Sequence, residues 1–242
     1  MSDNLQPRGS DDTTLVQPMF TPIKRRSFFM YAGATAGATA LVLAGCSKDA
    51  VTPTSSAISL GSGDVGVLNY AYALEQLEAA FYAQVVKTPA GDFQTGELAY
   101  FTEVAAHEAI HRDFFKAAIN RDAPGKLLQN LTPNFTSIDF TKRASVLSTA
   151  KTFEDLGVAA YNGAGKLIKT AAYLVIAGQI VSVEARHAAY IRDLLDTTGK
   201  AFAGDDQVDP ISGLDKAMMP VDVIAAAQAF ITEKLDASTV GK

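Results

Sequence analysis

Between Tyr173 and Leu194, the residues Tyr173, Ala177, Ile180, Glu184, His187, Ile191 and Leu194 recur at alternating steps of three and four. That spacing lays them along one stripe of an α-helix. The stripe is apolar except at Glu184 and His187, and a carboxylate buried without a partner costs several kcal/mol or more. A fold that accepts this helix must supply something at that depth to compensate the pair.

Three more segments repeat the pattern. After Asp64, read as a helix cap, Leu68, Ala71, Glu75, Glu78, Tyr82 and Val85 keep the spacing. They predict a first helix of about 23 residues, ended by "KTPAGD". A second helix is expected from 95 to 120, with Phe101, Val104, Glu108, His111, Phe115 and Ala118 on its stripe. The turn-rich stretch 121–141 separates it from a third, marked by Leu147, Ala150, Glu154, Gly157 and Tyr161 and closed by "NGAG". The fourth, from about 170 to 197, contains the stretch described first. Every stripe holds at least one glutamate.

The polar positions also form an internal repeat. Glu75 and Tyr82 match Glu154 and Tyr161 at an offset of 79, and Glu108-Ala-Ile-His111 matches Glu184-Ala-Arg-His187 at an offset of 76. A helix pair used twice, joined by a long crossover between helices 2 and 3, predicts an all-α four-helix bundle. "PVDVIAAAQAFITEKL", opened by Pro220, predicts a short C-terminal helix ending near Leu235. The stretch 199–213, "GKAFAGDDQVDPISG", is expected as a loop, and its acidic spacing does not fit an EF-hand.

A carboxylate from each of two helices plus Glu-x-x-His from each of the other two resembles the dinuclear carboxylate site of ferritin-like bundles. "LNYAYALEQLEAAFY", "GVAAYNGAG" and "VEARHAAYIRDLL" are similar to the bacterial ferritin-like domain family that includes plant desiccation-related proteins, over about residues 64–198. The resemblance implies two metal ions, iron first and manganese next, on Glu75, Glu108, His111, Glu154, Glu184 and His187. Two divalent cations balance the four carboxylates, and this donor set suits iron, manganese or zinc. It implies oxidase, ferroxidase or peroxidase-type chemistry with a small oxidant, dioxygen or peroxide, and a redox partner that the sequence does not identify.

Around those six, Tyr82 and Tyr161 are expected to hydrogen-bond ligand glutamates, with packing as the alternative. Glu78, whose repeat counterpart is Gly157, is similar to the extra carboxylate of the rubrerythrin site, although there it lies on the third helix. It reads either as an added ligand or proton carrier, or as a residue at the stripe's edge reaching water. His107 reads as a neighbour of the ligands or a surface residue. The competing reading is a non-enzymatic, stress-protective or structural envelope module whose carboxylates are protonated or paired with Arg112 and Arg186.

With 48% hydrophobic residues, 19% charged residues and a net charge of -5 over 242 residues, the chain suits one domain with extensions and gives no sign of nucleic-acid binding. Its single cysteine, Cys46, excludes an internal disulfide. Residues 24–46, "KRRSFFMYAGATAGATALVLAGC", resemble a twin-arginine export signal fused to a lipobox, Leu43-Ala44-Gly45-Cys46. That implies loss of residues 1–45, lipid on Cys46 as the membrane anchor in the cell envelope, a flexible tether over 46–63, the bundle over 64–198 and an extension over 199–242. A weakly apolar transmembrane helix is the alternative for the same run. Oligomerisation stays open, but a tethered, lipid-anchored subunit with a long tail would not readily close a storage cage.

Overall fold

Four long helices carry the chain in the computed structural model, which describes residues 57–242: α1 Gly63–Lys87, α2 Glu97–Asp122, α3 Arg143–Gly165 and α4 Ala171–Leu195. α1 packs along α2 and α3 along α4, while α1 also meets α3. The striped glutamates, histidines and aromatics thereby face a common interior. Among the described residues no helix is long and apolar enough to cross a membrane. The export signal, Cys46 and residues 46–56 of the expected tether lie outside the described residues.

α1 is buried on nearly every side, unlike a surface helix with a single apolar stripe. The crossover 123–142 covers its back, and two buried amides on α1 hold it there. Asn69 donates to the Lys126 carbonyl at 2.8 Å and accepts from the Leu128 N–H at 2.9 Å; Gln76 accepts from the Leu131 N–H at 2.9 Å. These bonds satisfy side chains whose burial would otherwise be costly.

Asp64 does not cap its own helix. α1 starts at Gly63 after Ser62, and the Asp64 carboxylate instead accepts the Lys169 and Thr170 N–H groups at 2.8 Å each. It ties the α3–α4 turn to the start of α1, a long-range partner that a local cap pattern cannot reveal.

The C-terminal extension is part of the packed unit. A Cβ on Gly163 would stand 1.7 Å from the Met218 carbonyl oxygen, so only glycine lets that strand of backbone lie on α3. There the Met218 N–H donates to the Ala159 carbonyl at 2.9 Å. Arg192, 3% exposed, donates to Asp155 and Asp206 at 2.7 Å each and pins the 201–206 turn to α4.

The expected C-terminal helix is shorter than its sequence pattern. α5 spans Pro220–Ala227 and tightens into a 3-10 turn over Gln228–Phe230. The Gln228 amide donates to the Ile231 and Glu233 carbonyls at 3.1 and 2.8 Å, folding the chain around itself and out of the helix. Leu235–Asp236 then forms β2, paired in parallel with β1, Ile58–Ser59. β1 falls within the stretch expected to be a flexible tether, and its pairing partner lies at the far end of the chain.

Candidate metal centre

The four glutamates of the helix stripes are withdrawn from solvent: Glu75, Glu108 and Glu154 at 0% exposure and Glu184 at 1%. Each is carried by a different helix. His111 and His187, one turn after Glu108 and Glu184, share their faces because positions three apart on a helix point the same way.

The six side chains form two overlapping groups. In one, His111 Nδ1 lies 2.9 Å from Glu184, 3.4 Å from Glu108 and 3.6 Å from Glu75. In the other, His187 Nδ1 lies 3.0 Å from Glu108, 3.2 Å from Glu184 and 3.5 Å from Glu154. Within each group the donor atoms all lie within 4.8 Å of one another. Glu108 and Glu184 belong to both, one oxygen facing each histidine, while Glu75 and Glu154 belong to one each.

Many of these atoms have no hydrogen-bond partner despite complete burial: Glu75 Oε2, both Glu108 oxygens, Glu154 Oε2, Glu184 Oε1 and His111 Nδ1. His111 Nδ1 sits within ion-pair distance of three carboxylates, yet is angled to bond none of them. Buried polar atoms are almost always paired, and carboxylate oxygens left bare around two imidazole nitrogens are what a cation would satisfy. This cluster can hold a metal ion.

The electrostatics of the metal-free chain point the same way. Burial pushes Glu75 well above the usual carboxylate range, with repulsion from Glu108 and Glu184 added and His111 pulling against it. Burial likewise raises Glu154, to about 8. Burial alone would raise Glu108 too, but the His111 and His187 imidazoles, 3.4 and 3.0 Å from its oxygens, bring it down to about 2. Burial opposes charge on both histidines, yet the surrounding carboxylates raise each to about 12. Without metal, imidazolium protons occupy the role of counter-charge.

The two tyrosines cross over. Tyr82 on α1 donates to Glu154 on α3, and Tyr161 on α3 donates to Glu75 on α1. Neither bonds the glutamate of its own helix, because seven residues of helix span about 10 Å. Each phenol fixes one oxygen of a single-group glutamate and leaves the other facing the cluster.

Glu78 is buried rather than reaching water, at 5% exposure. It faces its own repeat counterpart: a Cβ on Gly157 would lie 3.1 Å from Glu78 Oε1, so the glycine of one half makes room for the glutamate of the other. Burial raises Glu78 well above the carboxylate range, and Glu108, Glu154, Glu184 and Glu75 repel its charge further.

His107 lies against a metal-binding candidate. Its Nδ1 is 3.0 Å from His187 Nε2, and the rings stack 5.2 Å apart at 10°. Tyr100, which the stripe pattern passes over, donates to the His187 carbonyl at 3.0 Å. No sequence signal distinguishes Tyr100 from a packing residue. Arg112 bonds Asp113 at 2.9 Å and Arg186 bonds the Ser182 carbonyl at 3.1 Å; neither is paired with the buried glutamates.

Comparison with known proteins accords with this architecture. No curated protein matches the sequence. Residues 63–197, more than half of the chain, match the family model of the ferritin-like domain, and the chain belongs to the ferritin-like family.

Proposed function

We propose that this is a lipid-anchored ferritin-like protein of the cell envelope whose bundle holds a dinuclear iron or manganese centre and reacts with dioxygen or peroxide. The observation that carries the proposal is the set of bare, inward-facing donor atoms in two groups sharing Glu108 and Glu184. Glu75 and His111 would hold one ion, Glu154 and His187 the other, and Glu108 and Glu184 would serve both. Bound iron or manganese with an open position supplies Lewis acidity and one-electron chemistry toward small oxidants.

The chain's own residues supply the rest. Tyr82 and Tyr161 orient the single-group glutamates, and outer partners of this kind tune the ligands they touch. His107 engages His187 Nε2, which leaves Nδ1 as the nitrogen turned to the cluster. Glu78, buried opposite Gly157 and held above the carboxylate range in the metal-free chain by burial and its anionic neighbours, would carry a proton at a carboxyl oxygen for release as an oxidant is reduced. The anchor rests on the Arg25-Arg26 and Leu43–Cys46 motifs.

The test is elemental analysis, intact mass and oxidant consumption on protein exported in its native host. The expected result is two ions per chain, lipid on Cys46 with residues 1–45 absent, and consumption of dioxygen or peroxide that chelation abolishes. A metal-loaded protein inert to both oxidants would instead favour the non-enzymatic, protective module. An unmodified full-length chain in the envelope would defeat the anchor.

A further inference from the structure

A cavity lies inside the bundle at the end where α1 and α4 begin, walled by residues of all four helices. Its inner wall includes Ala71, Leu74, Phe115 and Ala164, all buried and apolar, and its outer rim includes half-buried Ile168 and Tyr173. Tyr161 is also part of the wall, so the same phenol that donates to Glu75 separates the cavity from the metal cluster. Tyr70 completes the lining at 2% exposure, and its hydroxyl has no hydrogen-bond partner.

The room available to a water-sized sphere is about 30 Å³. One water occupies about 10–15 Å³, so a guest of a few heavy atoms fits. A buried water needs two to four polar partners. Here the Asp64 carboxylate at the rim is taken by the Lys169 and Thr170 amides, and the Tyr161 hydroxyl by Glu75. That leaves the Tyr70 hydroxyl, too little to hold water or peroxide but enough to donate one hydrogen bond to an otherwise apolar guest.

We infer that this cavity is a docking site for a dioxygen-sized apolar molecule, placed behind Tyr161 on the Glu75 side of the metal cluster, and that it favours dioxygen over peroxide as the oxidant. The occupancy claim stands on the cavity alone; the preference between oxidants rests on the redox reading proposed above.

Dioxygen itself is the probe. In the metal-free, methyl-labelled full chain, paramagnetic relaxation of the Ala71, Leu74 and Ala164 methyls should rise with dioxygen pressure several-fold more steeply than that of Leu147 and Ala150. The two reference residues are also buried, at 0% exposure, but lie outside the cavity wall. Ala164→Leu, or Ala71→Leu should the first variant not fold, should remove the excess. Equal slopes at both sets of methyls would overturn the inference. With iron bound, Ala164→Leu should raise the half-saturating dioxygen concentration several-fold more than that of peroxide, and an equal change in both would overturn the oxidant preference. An iron-loaded chain inert to both oxidants would refute that preference together with the redox reading, while the methyl relaxation would still decide occupancy.

Discussion

The α1–α2 hairpin and the α3–α4 hairpin make the same contribution to the cluster: one unshared glutamate, one Glu-x-x-His pair and one tyrosine reaching across to the other hairpin. What surrounds the ligands differs. Glu78 in the first half faces Gly157 in the second, and His107, which touches His187, has Val183 as its repeat counterpart. α1 is enclosed on nearly all sides, whereas much of α4 is exposed. The ligand set obeys the repeat because both ions would need the same donors. The neighbours break it where one residue's bulk must be matched by space in the other half.

The largest expected effect separates shared from unshared ligands. Glu184→Ala should weaken both ions by at least about 100-fold, beyond the 10–100-fold typical of outer-shell changes. Glu75→Ala should leave one ion, in the half formed by Glu154 and His187, and Glu154→Ala the converse. Metal titration of the three variants checks this; equal loss from all three would show that the halves do not act as two sites.

pH probes both halves at once. Raised folded-state values for Glu75, Glu78 and Glu154 mean that the metal-free native chain retains protons that the unfolded chain releases above about 4.5. His111 and His187, raised to about 12, do the same above 6.5. The native state therefore binds more protons between about pH 5 and 8, and stability of the metal-free protein should fall as pH rises through that window. Metal must displace those protons, so metal affinity should rise over the same range, with protons released on binding. Melting temperature with and without manganese, read across that range, gives both signs.

His107→Ala should act on one half. It removes the partner of His187 Nε2, so affinity should drop about 10-fold at the Glu154–His187 half and change little at the Glu75–His111 half. A uniform loss would mean that His107 merely supports the fold of α2.

How far the sequence carried is clearest at these residues. Glu108, His111, Glu184 and His187 could be placed together because three-residue spacing on a helix is local geometry, and its repetition supplied the second copy. Which glutamate each tyrosine bonds was not legible, since that depends on how the hairpins face one another. Nor was the burial of Glu78 by Gly157 legible, a contact across 79 residues of chain. The β1–β2 pairing was hidden for the same reason, and the end of α5 was set by Gln228 turning its amide onto following carbonyls.

The smallest effect on metal content is expected from the asymmetric residue. Glu78→Gln keeps the shape beside Gly157 and removes only the ionisable proton, so both ions should remain while oxidant consumption slows about 10-fold or more. Loss of an ion would make Glu78 a ligand and the first half richer than the second.

The most direct measurement is anomalous scattering from crystals of the chain grown with manganese. Two peaks inside the bundle are predicted, one beside Glu75 and His111, the other beside Glu154 and His187, with Glu108 and Glu184 between them. Manganese found only on surface carboxylates, with none among these six side chains, would contradict the account.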